Sequence, residues 1–122
     1  MLIIGEATYG ADVADETARW HQMHGVWLGS DQTELPVGTP VVGRMAGESN
    51  ELLLDGLIAG AWTKSTHEGK WKYEIPVVWS RHIVRGVRAR DVLGEKGLVR
   101  NAHVGLDQAE WAAIQSARLA AG

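Results

Sequence analysis

The stretch Lys70-Trp71-Lys72-Tyr73-Glu74-Ile75-Pro76-Val77-Val78-Trp79 restricts this chain more than any other. Trp71, Tyr73, Ile75, Val77 and Trp79 fall on one face of it, and Lys70, Lys72 and Glu74 on the other. Successive side chains of an extended backbone point to opposite sides, so this period of two predicts a half-buried strand. Two apolar runs precede it, Val41-Val42-Gly43-Arg44-Met45 and Leu52 to Trp62, and the turn Leu35-Pro36-Val37-Gly38-Thr39-Pro40 leads into the first. Polar breaks at Gly47-Glu48-Ser49-Asn50-Glu51 and from Thr63 to Gly69 separate the runs. Three strand-like runs joined by short polar turns predict an antiparallel meander.

The flanks supply further elements. Leu2 to Tyr9 reads as a short apolar strand. Asp12 or Asp15 can cap a helix running to about Met23, with Val13, Ala14, Thr17, Ala18, Trp20 and His21 on one partly buried stripe and Gly25 as its terminator. Val26-Trp27-Leu28 is a candidate strand, followed by a polar loop over Gly29 to Glu34. Beyond Trp79, Ile83 to Val87 reads as a strand with a basic outer face, Ala89 to Leu93 as a helical turn ended by Gly94, and Leu98-Val99-Arg100 as extended. Asp107 and Glu110 make a capping box for a closing helix through about Leu119. The expected fold is α+β: a small antiparallel β-barrel of five to six strands with a helix near each end.

A chain of 122 residues supports one hydrophobic core, hence one domain. With 45% apolar and 22% charged residues the composition excludes a disordered chain. Absence of cysteine excludes disulfides and thiolate metal sites, which agrees with a reducing compartment. No apolar run reaches the length of a membrane span, and the first residues lack the pattern of a signal peptide, so the expected setting is the cytoplasm, with no membrane partner.

The net charge of −3 conceals an asymmetry. Residues 1–62 carry two basic and nine acidic side chains, whereas residues 63–103 carry nine basic and four acidic. A basic face is therefore compatible with an acidic total. Aromatic usage is equally uneven, with six tryptophans, two tyrosines and no phenylalanine. Tryptophan is the strongest stacking platform among side chains, although burial in the core is its commonest use.

The order of these elements resembles the PUA-like superfamily, in particular EVE- and YTH-like domains and the related readers attached to modification-dependent restriction nucleases. An early strand, Leu2 to Tyr9, is followed by a helix bearing Trp20 and His21. Leu35-Pro36-Val37-Gly38-Thr39-Pro40-Val41-Val42 is similar to the leucine–x–x–glycine–aspartate phrase that opens a barrel strand in the family, with Thr39 in place of the acid. Leu57-Ile58-Ala59-Gly60-Ala61-Trp62 resembles the glycine-spaced next strand. Tyr73 to Trp79, Val84 to Val87, Val92-Leu93 and Leu106 to Ile114 resemble the closing order of strand, basic strand, turn and helix.

The resemblance implies a reader of nucleic acid, not an enzyme, that holds one base, often methylated, in an aromatic-lined pocket. Modified DNA is the favoured partner and RNA the alternative, with a nuclease as an expected protein partner. A flipped base loses a few kcal/mol of stacking, and an aromatic platform returns about 1–3 kcal/mol per base. Strand ends and the first loop face the mouth of a barrel, which nominates Trp20, Trp27, Trp62 and Trp79 as the pool from which a cage is drawn. Trp71 and Trp111 are expected in the core. Ser30, Asp31, Thr63 and Ser65 are candidates for hydrogen bonds to the base edge. Lys64, Lys70, Lys72, Arg81, Arg85 and Arg88 are candidates for phosphate contacts, which position a ligand without reading it.

Other chemistry finds little support. His21 and His24 are three residues apart, with His67, His82 and His103 as distant third ligands, but no metal-binding motif accompanies them and no metal is expected. No nucleophile, P-loop or dinucleotide fingerprint occurs, so neither an active site nor a cofactor is expected. A barrel that binds a metabolite or a protein is the remaining reading, and it predicts that the cations of residues 63–103 scatter instead of lining one face.

Overall fold

The computed structural model describes residues 2–6, 14–45, 50–67, 69, 71–98 and 103–122. Seven strands and three helices follow in the order β1 (Leu2–Glu6), α1 (Ala14–His24), β2 (Val26–Gly29), β3 (Pro40–Met45), β4 (Glu51–Ile58), β5 (Thr63–Lys64), β6 (Tyr73–Trp79), α2 (Ala89–Leu93), β7 (His103–Gly105) and α3 (Gln108–Ala121). A 3-10 turn, Gly94–Leu98, follows α2. The fold is α+β, with a helix toward each end of the chain.

The three runs of the predicted meander are β3, β4 and β6, and they pair antiparallel in sequence order. β2 joins the other side of β6, with Trp27 opposite Ile75. β1 lies parallel to β3, with Leu2 opposite Val41, and this is the one parallel pair among the described residues. A parallel neighbour needs a long crossover, and α1 and β2 lie within the connection that supplies it. The strand order is β2-β6-β4-β3-β1-β7, with β5 also on β6. This ladder is open: among the described residues its end strands β2 and β7 do not pair, so the closed barrel of the sequence reading is not seen.

Helices and loops cover both faces of the sheet. One cluster contains Ala18 of α1 with Trp27, Val41, Leu53, Leu54, Ile58, Ile75 and Val77. The other contains Val42, Leu52, Val87, Ala89, Val104, Leu106 and Ile114 of α3. Leu52, Leu53 and Leu54 are all fully buried, which explains why β4 reads as a continuous apolar run without alternation. Each such side chain contributes roughly 1.5–3 kcal/mol by leaving water. A register shift between Gly43 and Arg44 accommodates the ladder there.

Local chemistry explains the ends of the helices. Gly25 ends α1 at φ 63°, where its N–H donates to the carbonyl of His21 at 2.9 Å. The capping box of α3 is present: Glu110 N–H donates to Asp107 Oδ1 at 2.8 Å, and Asp107 N–H to Glu110 Oε1 at 2.9 Å. Arg118, buried near the other end of α3, donates to the carbonyls of Leu52 and Leu53 at 3.1 Å each and pairs with Asp55. That clamp ties the helix to β4.

Two further sequence expectations differ from the structure. Residues 83–87 form no regular strand; Val84 N–H donates to Leu53 O, and Val87 O accepts from Leu52 N–H, along an irregular path beside β4. The cause is a carboxylate distant in sequence: Gly86 takes φ 86°, and its N–H is captured by the Glu51 carboxylate at 2.8 Å, outside any ladder. Leu98 ends the 3-10 turn and is not extended, while residues 99 and 100 lie outside the described residues. The first strand is described only as Leu2–Glu6; residues 7–9 and the candidate cap Asp12 also lie outside.

Candidate functional site

The four nominated tryptophans do not form one cage. Trp27 is only 2% exposed and stacks on His21, with ring centroids 4.4 Å apart. His21 donates from Nδ1 to the carbonyl of Val26 at 3.1 Å, which locks this pair inside the first core cluster. Trp79 lies 5.8 Å from Trp27, and its Nε1–H donates to the same carbonyl at 3.1 Å. Trp20, on α1, packs against His24 at 4.4 Å and His67 at 4.9 Å. Trp62 packs against the first core cluster, which contains Trp27, and its ring meets that of His103.

Trp62 owes its place to a break in the ladder. β4 ends at Ile58, Ala59 N–H donates to Pro76 O at 2.9 Å, and a Cβ on Gly60 would lie 2.7 Å from the Pro76 ring. Pro76 has no N–H to offer, so pairing lapses over residues 59–62 before β5 rejoins β6 with Thr63 opposite Glu74. Trp62 leaves the chain in that gap. Its Nε1–H donates to Thr33 O at 2.7 Å, and a Cβ on Gly29 would lie 2.8 Å from the indole Cη2. The bare backbone of Gly29 thus gives the ring its seat.

Thr33 is itself positioned. Asp31 Oδ1 accepts from Thr33 N–H at 3.1 Å and from Thr33 Oγ1–H at 2.9 Å, a local turn closed by the aspartate side chain. These bonds, the backbone N–H first, hold the Asp31 carboxyl below the usual aspartate range, and nearby His103 adds to the effect. His103 opens β7, and its ring lies 6.3 Å from that of Trp62 in an edge-on arrangement. Burial pushes the His103 imidazole down, toward the neutral form, with Asp31 opposing. Trp62 therefore lies between the loop that follows β2 and the start of β7, so the sheet curls to bring its unpaired ends near one side chain.

An open cleft of ≈ 360 Å³ adjoins the indole, walled by Leu35, Pro36, Val37 and residues 60–61, with Gln32 and Glu34 on its rim. Among the described residues no lysine or arginine lines it. A second cleft, ≈ 410 Å³, lies where the outer faces of β4 and β6 meet α3 and is lined by Pro40, Leu57, Val78, Trp79 and Trp111. Leu57 and Val78, register partners, are 48% and 64% exposed there. Its polar groups are engaged: Asp55 holds Arg118 and accepts from Gln115 Nε2–H at 3.1 Å. Trp111, expected in the core, is half-buried at this surface.

The nominated polar residues distribute unevenly. Asp31 supports the Trp62 seat, and exposed Ser30 precedes it. Thr63 is exposed on β5, beside Trp62 in sequence. Ser65 is occupied by its own turn, accepting from His67 N–H at 3.1 Å and donating to His67 O at 3.3 Å. Lys64 and Lys72 are exposed on the β5–β6 hairpin, where Ser65 N–H donates to Lys72 O. Arg81 and Arg88 are exposed on the irregular segment beyond β6. Arg85, on the same segment, is bound to Glu51 at 2.9 Å and Asp15 at 2.8 Å, which keeps its guanidinium firmly protonated and neutralises it. Lys70 lies outside the described residues. The described candidates thus divide between the hairpin and the later segment, and Lys64 follows Trp62 by two residues along the chain.

Sequence reasoning nominated none of Gln32, Glu34 and Gly29, and weighed His103 only as a distant metal ligand. The Asp31-x-Thr33 spacing carried a turn signal, but nothing local announced that β7 would bring His103 to Trp62. Among the described residues no group of three or more His, Asp or Glu is arranged to hold a metal ion, and no helix is long and apolar enough to cross a membrane.

Fold and cleft together define an α+β domain with an aromatic platform at the curled end of an open sheet. No protein-family model, curated protein or solved structure matches the chain.

Proposed function

We propose that the domain is a binding module that stacks one nucleobase of a nucleic acid on Trp62, with modified DNA favoured and RNA the alternative. The observation that carries the reading is the fixed orientation of the indole. Its N–H is already spent on Thr33 O, Gly29 seats it from one side, and an open cleft adjoins it. A side chain so constrained offers its π-face, and stacking on it needs little further ordering. Gln32 and Glu34 on the rim supply one amide and one carboxylate for the edge of a base. Among the described residues the cleft itself holds no cation, so phosphates belong outside it, toward Lys64 and Lys72.

The test is fluorescence titration with short duplexes, unmodified and cytosine- or adenine-methylated, and with the same sequences in RNA, at two salt concentrations. Tryptophan quenching by one nucleic acid, weaker at high salt, supports the reading. Trp62→Ala should weaken binding by roughly tenfold or more, the equivalent of about 1–3 kcal/mol of stacking. Equal affinity of the variant, or no response of the native domain at low salt, overturns it. A closed barrel, a cytoplasmic setting and a nuclease partner on another domain or chain belong to the same proposal.

The division of the cations and the neutralised Arg85 favour a second reading, a small-molecule or protein-binding domain that touches no nucleic acid. It gains support if the titration is silent with every oligonucleotide.

A further inference from the structure

The turn that follows Trp62 and β5 is fastened to β6 through a single carboxylate. Glu74 Oε1 accepts from Thr66 N–H at 2.6 Å and from Thr66 Oγ1–H at 2.8 Å. Its other oxygen, Oε2, lies 3.8 Å from Nε2 of His67. His24, on the last turn of α1, meets His67 edge-on with centroids 4.7 Å apart, and Trp20 packs against both rings. Three elements therefore meet at one carboxylate and two imidazoles, five residues along the chain from Trp62.

We propose that His67 and Glu74 form a proton-operated latch that holds the 65–67 turn against β6 and thereby sets the grip of the Trp62 cleft on its ligand. This rests on the reading of Trp62 as a ligand platform. Imidazole is the side chain that changes charge between pH 5 and 8. The Glu74 carboxyl is held below the ordinary range, first by Thr66 N–H, so it stays ionised throughout that interval. A proton on His67 turns its 3.8 Å approach to Glu74 into a charge pair, adding to the two Thr66 bonds. The contribution is present when the imidazole is charged and lost as rising pH discharges it. Other groups at the latch are accounted for among the described residues. His21 touches the edge of Trp20 but is buried on Trp27. Lys72 and Lys64, on the neighbouring strands, are exposed. His24 meets the His67 ring edge-on, and its charge also favours the ionised Glu74 carboxylate.

The experiment follows three resonances and one affinity at pH 8 and pH 6: the Thr66 amide, the His67 ring, the Trp62 indole N–H, and binding of a fluorescent single-stranded oligonucleotide. On acidification Thr66 should become more protected from exchange, the Trp62 indole should shift, and the oligonucleotide should bind roughly two- to fivefold tighter, the range of a partly exposed ion pair. His67→Ala should abolish all three changes, and His24→Ala should retain them. Should Glu74→Gln fold poorly, the histidine variants decide alone. A Thr66 response that survives His67→Ala overturns the latch, as does a Trp62 indole unmoved while Thr66 responds. Absence of oligonucleotide binding at both pH values removes the reading of Trp62 instead, and the ligand-free resonances still decide the latch.

Discussion

At the scale of single residues, the cleft and core depend on places where a side chain is missing or one polar group serves several partners. Gly56 is the clearest of the first kind. A Cβ there would lie 2.6 Å from Val77 and 2.7 Å from the Trp79 ring, both held from the far side by the first core cluster. Gly56→Ala should therefore lower stability by about 1–3 kcal/mol, the usual cost of overpacking, as a lower urea midpoint with an unchanged slope. Arg118 is of the second kind: one buried guanidinium serves Leu52 O, Leu53 O and the Asp55 carboxylate. Arg118→Ala leaves all three without that donor and should destabilise by roughly 3 kcal/mol, read from the same denaturation curves. Neither role is legible in the sequence. An arginine in a closing helix reads as a solvated charge until the fold places β4 beneath it.

At the scale of elements, α3 was the most legible part of the chain because its signal is local. Asp107 and Glu110 satisfy each other's backbone N–H within four residues, whatever the rest of the molecule does. Asp107→Ala should cost about 1 kcal/mol, with loss of amide protection concentrated in the first turn of α3. The meander was legible for the same reason, since alternation in β6 and an uninterrupted apolar run in β4 are properties of consecutive residues. Residues 83–87 show the limit of that logic. Ile83-Val84-Arg85-Gly86-Val87 has strand composition, yet the Glu51 carboxylate binds Arg85 and Gly86 N–H, and those bonds replace a ladder. The competing partner lies more than thirty residues away.

At the scale of the whole molecule, pH dependence follows from several sites together. Asp31 and Glu74 have carboxyls held below their ordinary values, mainly by the N–H groups of Thr33 and Thr66. Groups lowered on folding add stability that is complete above their unfolded pKa and is lost as pH falls through the folded one. His103, held toward the neutral form by burial, acts in the same sense: protonation opposes the fold. Stability should therefore decline on acidification in two stages, a first through the histidine range and a second below about pH 4. His103→Gln should remove His103's part of the first stage; a melting temperature that does not fall toward acid would contradict this ordering.

The same distinction separates what was decided by consecutive residues from what was decided by folding. The sequence by itself determined the α+β class, the three-stranded meander, the stop at Gly25 and the cap of α3, because each rests on periodicity or on partners a few residues apart. Tertiary structure decided that β1 pairs parallel with β3, that the ladder stays open, and that Trp27 is closed off while Trp62 adjoins a cleft. It also decided that Arg85 is held by Glu51 and Asp15 and that the rings of His24 and His67 meet. Each of those outcomes depends on chain segments tens of residues apart arriving at one point. Burial, shared hydrogen bonds and competition for a carboxylate act on proximity in space, and proximity in space is what a linear pattern does not carry.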